Sequence, residues 1–161
     1  MAVIVSDTSP IRALHHLGQV EWLDVLFGEV FVPPAVADEL ANPAARYSSI
    51  DIHLYSFLLV RAPAPSPRLV ELRTELDAGE AEALALAEEI HANVVLIDEM
   101  DGRRVAQRMG LSVLGTVGIL LQAKEKSLCE AVAPLLDRLV DELGFFLSAD
   151  LRAQAIQIAG E

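Results

Sequence analysis

Five short, largely apolar runs punctuate the sequence, and each is followed by a stretch in which apolar residues recur with the period of an α-helix. The runs cover residues 2–5, 30–32, 57–61, 94–97 and 112–114. Runs this short are typical of strands that are buried on both faces, as in a parallel sheet. Strands that alternate with helices therefore predict an α/β fold, with a parallel sheet covered by helices on both faces.

The helical periods predict the remaining elements. Ser9 before Pro10 predicts an N-cap followed by a helix, and residues 44–56 are also predicted to be helical. A chain of 161 residues without an internal repeat fits one domain, so residues 1–161 are expected to form a single domain with a helical tail from about 129 to 161. The other helices are expected at residues 10–17, 22–26, 33–40, 69–76, 80–90, 102–109, 116–126, 129–143 and 148–159.

The net charge of −12 is unusual for a protein that acts on nucleic acid, because contacts to phosphate normally dominate affinity. The charges are segregated along the chain. Ten of the 24 acids lie within residues 69–101, beside one base, Arg73, whereas five of the 12 bases lie within residues 103–126. Either cations neutralise the clustered acids, or the substrate is not a nucleic acid, and the segregation favours the first explanation.

Composition also limits the compartment and the partners. Cys129 is the one cysteine, so no internal disulfide can form, and a cytoplasmic location is expected. No apolar run approaches the roughly 18 residues that a membrane span needs, so no membrane partner is expected. The hydrophobic content of 53% suggests apolar surface beyond one core, and therefore a homodimer. Neither Cys129 nor the four histidines show the spacing of zinc ligands.

Four acids stand where a carboxylate is not expected. Asp7 and Asp98 follow the first and fourth apolar runs, at the edge of a parallel sheet where ligands bind. Each of these aspartates by itself is explained equally well as the cap of the next helix. Glu39 and Glu80 are harder to explain, because each lies on the apolar side of its predicted helix, where an unpaired carboxylate costs several kcal/mol.

Pairing with arginines is the alternative explanation for these four acids, but only Arg12, Arg103 and Arg104 lie near them in the sequence. Four carboxylates at one edge would raise one another's pKa values unless a cation intervened. An all-oxygen set of ligands suits Mg²⁺ or Mn²⁺. The residues therefore predict a divalent metal site.

Five segments, in order, resemble the PIN-domain superfamily, and most closely its branch DUF3368: VSDTSP at 5–10, VPPAVADEL at 32–40, LDAGEAEALALA at 76–87, LIDEMDGRR at 96–104 and GTVG at 115–118. The resemblance covers almost the entire chain. It implies a three-layer α/β/α sandwich with a central parallel sheet and an acidic site that binds one or two Mg²⁺ or Mn²⁺ ions. It also implies endonucleolytic cleavage of RNA, often as the toxin of a toxin–antitoxin pair with a cognate antitoxin as partner.

The resemblance also assigns the acids of the site. By position, Asp7 and Glu39 match the first two acids of the family, and Glu80 matches the third, which is commonly Asp in other branches. Asp98 is the best match for the fourth. Two neighbours stand close enough to share or take that role, namely Glu99 and Asp101.

Further roles follow from the same resemblance. Thr116 matches the family's hydroxyl that positions a carboxylate or a water, and Ser9 is placed to do the same near Asp7. In a ribonuclease of this kind, Arg103 and Arg104 are predicted to hold a phosphate of the substrate, although a solvated helix face explains them equally well.

Two other classes of protein remain open. One is a catalytically silent PIN-like interaction module, whose acidic groove would take an antitoxin peptide that carries Arg or Lys. The other is a phosphotransfer domain of the receiver or haloacid-dehalogenase type, which also places Asp at strand ends. That class needs paired acids near the first strand or an Asp-x-Asp motif, and here Ser9 occupies the second position after Asp7.

Overall fold

The computed structural model describes residues 2–161, and within them the chain alternates strands and helices in the predicted order. The strands are β1 Ile4–Ser6, β2 Val30–Val32, β3 Leu58–Val60, β4 Val94–Leu96 and β5 Val113–Leu114. The helices are α1 Thr8–His16, α2 Trp22–Phe27, α3 Pro34–Ala41, α4 Pro67–Glu75, α5 Ala78–Glu89, α6 Met100–Arg108, α7 Thr116–Glu125, α8 Ala133–Leu143 and α9 Ala149–Ala159.

The five strands form one parallel sheet in the order β3-β2-β1-β4-β5. The chain builds outward from β1 to β3 and then returns to place β4 on the other side of β1. The strand order therefore reverses between β1 and β4, and such a switch point opens a crevice beyond the carboxyl ends of the two strands.

Neighbouring residues of each strand enter opposite faces of the sheet. In β1, Ile4 joins an apolar cluster with α1, α2, α7 and α8, whereas Val5 joins a second cluster with α4, α5 and α6. All of these strand residues are nearly inaccessible to water. Helices thus cover both faces, which confirms the α/β/α sandwich.

The helix predicted over residues 44–56 is wrong. This segment is an irregular connection with one 3₁₀ turn at Ile52–Leu54. The side chain of Asp51 accepts a hydrogen bond from the backbone N–H of His53, a local contact that competes with helix formation. The backbone N–H of Ile50 bonds to the carbonyl of Leu40 at 2.8 Å, which fastens the connection to the end of α3.

The tail is packed on the sandwich through Glu161. Its carboxylate accepts hydrogen bonds from the backbone N–H groups of Val132 at 2.7 Å and Ala133 at 3.0 Å, and from Lys124 Nζ at 3.0 Å. These contacts, led by the one from Val132, lower the pKa of Glu161 to about 2. They join the end of α9 to α7 and to the start of α8. Across residues 2–161, no helix has both the length and the apolar character needed to cross a bilayer.

Candidate active site

Asp7 and Asp98 lie on either side of the switch point of the sheet. Asp7 directly follows β1, and its backbone N–H donates to the carbonyl of Leu96 in β4 at 2.9 Å. A cavity of about 1120 Å³ opens over this edge of the sheet. All four of the acids predicted from the sequence line this cavity: Asp7, Glu39, Glu80 and Asp98.

Asp7 is a buried carboxyl group surrounded by other acids. Only 4% of its surface is exposed. Burial is the main cause that raises the pKa of Asp7 to about 7; a backbone hydrogen bond from Thr8 acts against the shift, and the charges of Asp77, Glu39 and Asp98 add to it. At neutral pH the carboxyl group is therefore poised between its two protonation states.

Glu80 faces the interior, as its position on the apolar side of α5 predicts. Its residue surface is 7% exposed, and its Oε2 atom has no hydrogen-bond partner among the described residues. Burial and the nearby carboxyl groups of Asp77 and Asp7 raise the pKa of Glu80 to about 8. Asp77 is the N-cap of α5 and accepts a hydrogen bond from the backbone N–H of Glu80 at 2.8 Å.

Two glycines allow helices to approach these carboxyl groups. A Cβ atom on Gly79 would lie 3.3 Å from Glu39 Oε2 and 3.4 Å from Asp7 Oδ1, so these two oxygens flank one point beside α5. A Cβ atom on Gly102 would lie 2.7 Å from Glu80 Oε2. The clash is severe at Gly102, whereas at Gly79 the neighbours would need to shift by only a few tenths of an ångström.

The prediction that Glu39 points into the core is wrong, because this residue is exposed. The buried stripe of α3 is formed by Val36 and Leu40, and Glu39 lies about 60° from the first of these around the helix, at the edge of the stripe. Its side chain extends over the rim instead. There Thr8 Oγ1 donates to Glu39 Oε2 at 2.8 Å.

Asp98 is held by three donors from two helices. Thr116, the first residue of α7, donates through its backbone N–H at 2.7 Å and through its hydroxyl at 2.6 Å. Ser9 donates through its hydroxyl at 2.9 Å. The prediction that Ser9 caps α1 is wrong: the N-cap position is Asp7, and the serine hydroxyl is free to bond Asp98 because Ser9 lies in the first turn.

The alternatives to Asp98 are placed differently. Glu99 is exposed but lines the cavity, whereas Asp101 is exposed and does not line it. Asp101 instead pairs with Arg104, at 3.4 Å. Arg103 is half-buried, and its Nη1 atom donates to the carbonyl of Ile97 at 3.3 Å. Both arginines line the cavity.

Several residues of the cavity were not singled out from the sequence as parts of the site. The pattern Asp-x-x-Glu, which is typical of a helix start, would have indicated Asp77. A charged Arg12 within the apolar stripe of α1 was a second signal, and this residue is only 8% exposed. Its guanidinium Cζ lies 4.2 Å from the ring centroid of Tyr47, and that of Arg46 lies 4.7 Å from the same centroid.

As the side chains stand, no group of three or more His, Cys, Asp or Glu residues within 2–161 is arranged to hold a metal ion. The acids are directed to separate donors, Glu39 to Thr8 and Asp98 to Thr116 and Ser9, as mutual repulsion favours. The donor set nevertheless fits a divalent cation. It consists of oxygens alone, and Glu80 Oε2 is buried without a partner, which is where a cation would offset the burial of charge.

A family model described as a PIN domain, DUF3368, matches residues 3–161. The match includes all five segments on which the resemblance in the sequence rests. No curated protein matches the chain.

Proposed function

Because the chain belongs to the DUF3368 family of PIN domains, we propose that it is a metal-dependent endoribonuclease that hydrolyses RNA phosphodiester bonds. PIN domains are generally nucleases and typically use divalent metal ions. The observation that carries the proposal is the buried carboxyl cluster at the switch point, in which Glu80 Oε2 has no partner among the described residues.

In this proposal, Asp7, Glu39, Glu80 and Asp98 hold one or two Mg²⁺ or Mn²⁺ ions. Such an ion, when bound, lowers the pKa of water and offsets the negative charge that develops on phosphate. Position 80 carries Glu where other branches of the family commonly carry Asp. The longer side chain changes how far the carboxylate reaches, and so affects whether one ion or two are held.

The hydroxyl groups of the site have the task of orienting carboxylates. The Thr116 hydroxyl donates its proton to Asp98, so this residue positions a carboxylate, while its oxygen can still accept a hydrogen bond from a water. Thr8 does the same for Glu39. Orientation of ligands by such neighbours commonly changes metal affinity or activity by about 10- to 100-fold.

The arginines of the cavity supply the attraction for RNA that the net charge does not. Arg103 and Arg104 lie in the middle of α6, line the same cavity as the acids, and are proposed to contact a substrate phosphate. Because the acids are concentrated in the same cavity, bound cations would neutralise the strongest repulsion where the strand must lie.

The test is cleavage of a panel of single-stranded and structured RNAs by the purified protein with Mn²⁺ or with EDTA. We expect cleavage with Mn²⁺ only, and products that carry a 5′-phosphate. Asp7→Asn should reduce the rate by roughly 100-fold or more, whereas Asp141→Asn, an exposed residue of α8 outside the cavity, should retain it. Cleavage by folded Asp7→Asn at the wild-type rate would end the proposal.

A second candidate, a catalytically silent interaction module, is favoured by the apolar side of the same cavity. Phe146, in the connection between α8 and α9, lines the cavity and is 89% exposed. An antitoxin peptide that carries Arg or Lys would complement the neighbouring acids. Such a module would bind Mn²⁺ poorly in a titration and would cleave no RNA.

The biological setting of the nuclease is also a proposal. A toxin of a toxin–antitoxin pair should arrest growth when expressed alone, and a product of the neighbouring gene should relieve the arrest. The expected homodimer is tested by the mass of the purified protein in solution.

A further inference from the structure

Two buried side-chain atoms among residues 2–161 lack a hydrogen-bond partner: Glu80 Oε2 and Arg12 Nη1. Both residues line the same cavity. One atom belongs to an acid and the other to a cation that stays charged at any physiological pH. A buried cation without a partner is unfavourable, so Arg12 marks a place where an anionic ligand group would be stabilising, just as a bound cation would stabilise the ionised form of Glu80.

The neighbours of Arg12 hold it in place without neutralising it. Its guanidinium stacks on Tyr47, and the exposed Arg46 approaches the same ring. Within the described residues, Arg12 forms no ion pair with any acid. A cation–π contact offsets only part of the loss of hydration, so the group retains its attraction for an anion.

The position of Arg12 connects it to the acidic site. Arg12 follows Ser9 by three residues in α1, so the two lie on the same side of the helix, one turn apart. The hydroxyl of Ser9 donates to Asp98. Arg12, Arg46 and Tyr47 also line a second, smaller cavity of about 300 Å³. Arg12 therefore lies between the acidic cavity and a neighbouring space into which a bound strand can extend.

We propose that Arg12, Arg46 and Tyr47 form an anion subsite that binds a backbone phosphate of the RNA strand, next to the phosphate that is cleaved. This inference rests on the proposed function. The planar guanidinium of Arg12 matches two oxygens of a phosphate, and the Tyr47 ring fixes its plane. Arg12 Nη1 is closed to water, so a phosphate can contact this atom only if the irregular connection that carries Arg46 and Tyr47 shifts.

An RNA strand suits this cavity better than an acidic peptide does. A strand presents phosphates in a row, so one lies at the acids, where divalent cations bridge it, while the next reaches Arg12. In proteins, Mg²⁺ is usually held by one or two carboxylates together with phosphates of the substrate, which an acidic peptide does not supply.

The experiment measures binding of a fluorescently labelled single-stranded oligoribonucleotide by anisotropy in Ca²⁺, a cation that oxygen ligands also hold, and gel electrophoresis checks that the strand stays intact. We expect Arg12→Gln to raise Kd about tenfold and to reduce the slope of log K against log salt by about 0.7, the value for one lost phosphate contact on a single strand. Arg12→Lys should keep the slope but recover only part of the affinity. The control, Arg68→Gln, removes an exposed arginine outside both cavities and should change Kd less than about twofold.

Arg46→Gln provides a second variant that is safe for folding, because this side chain is exposed. It should also raise Kd and lower the salt slope. Unchanged affinity and slope in the folded Arg12 and Arg46 variants would overturn the subsite. Competition by an oligoglutamate as effective as that by RNA of equal charge would overturn the assignment to a nucleic acid.

The same assays separate this inference from the proposed nuclease. Cleavage that depends on Asp7, together with binding that ignores Arg12, would refute the subsite and leave the nuclease standing. Binding that depends on Arg12, without cleavage of any RNA in Mn²⁺, would support the subsite and refute the nuclease.

Discussion

Replacing Asp7 with asparagine should stabilise the metal-free protein above neutral pH while it removes activity. The pKa of Asp7 rises from an ordinary 3.8 to about 7 in the folded state, mainly because the group is buried. Between these two pH values the folded state keeps a proton that the unfolded state has released. The stability contributed by this group is therefore complete below about pH 4 and is lost as the pH rises through about 7.

The size of the effect follows from the difference between the two pKa values. About three pKa units at 1.36 kcal/mol each correspond to about 4 kcal/mol. Asparagine has nearly the same shape and cannot ionise, so it avoids this loss. At pH 8.5 the Asp7→Asn variant should exceed the wild type by up to about 4 kcal/mol, or roughly 10 °C in melting temperature, and at pH 4 the two should differ little.

Urea denaturation followed by circular dichroism, in EDTA at pH 4 and pH 8.5, measures this difference, and Asp141→Asn serves as the control for loss of an exposed charge. Added Mn²⁺ should then stabilise the wild type by RT ln(1 + [Mn²⁺]/Kd), but not Asp7→Asn. An Asp7→Asn variant that is less stable than the wild type at pH 8.5 in EDTA, or a difference in stability that does not change with pH, would show that burial does not raise the pKa of Asp7 in this way.

Two further substitutions test the support around the acids. Thr116→Val removes the 2.6 Å hydroxyl bond to Asp98 and should lower kcat about 10- to 100-fold, whereas Thr116→Ser should retain most of the activity. Steady-state cleavage at saturating Mn²⁺ measures both variants. A valine variant that cleaves at the wild-type rate would contradict the role of Thr116 in positioning Asp98. Gly102→Ala places a Cβ 2.7 Å from Glu80 Oε2 and against Ile97 Cδ1, so it should cost about 1–3 kcal/mol of stability and weaken Mn²⁺ binding. Thermal melts and Mn²⁺ titration measure the two effects, and an unchanged Mn²⁺ affinity would contradict the prediction that crowding of Glu80 disturbs the metal site.

The fold was predictable from the sequence because its strands are buried on both faces. Such strands appear as uninterrupted apolar runs, and the run at Val30–Val32 coincides with β2. The order of the strands in the sheet is a different matter, since it depends on contacts between distant segments. The same limit explains the error over residues 44–56, where a bond between Ile50 and Leu40 and the local turn at Asp51 outweigh helical propensity.

A residue of the candidate site was predictable where its position follows from the strand or helix that carries it. Asp7 and Asp98 follow from strand ends, and Glu80 follows from the phase of one helix. Glu39 lines the cavity as predicted, but its predicted burial is wrong, because its helix ends at the rim, where a side chain at the edge of the stripe can reach solvent. The contact between Arg12 and Tyr47 could not be predicted from the sequence, because it depends on the path of the irregular connection that carries Tyr47.

The distribution of ion pairs reconciles the net charge with a nucleic-acid substrate. Eight of the 12 bases lie outside the large cavity, and among residues 2–161 six of these eight pair with an acid. Of the four bases that line the cavity, only Arg104 pairs with an acid, Asp101. The acids of the surface thus neutralise bases that no substrate needs, and leave Arg12, Arg46 and Arg103 available at the site. Once bound cations offset the acids of the cavity, a phosphate responds to the local field of these arginines and not to the total of −12, because charges beyond about 8 Å are largely screened at physiological salt. Removal of surface acids should therefore change RNA binding far less than removal of any of these three arginines.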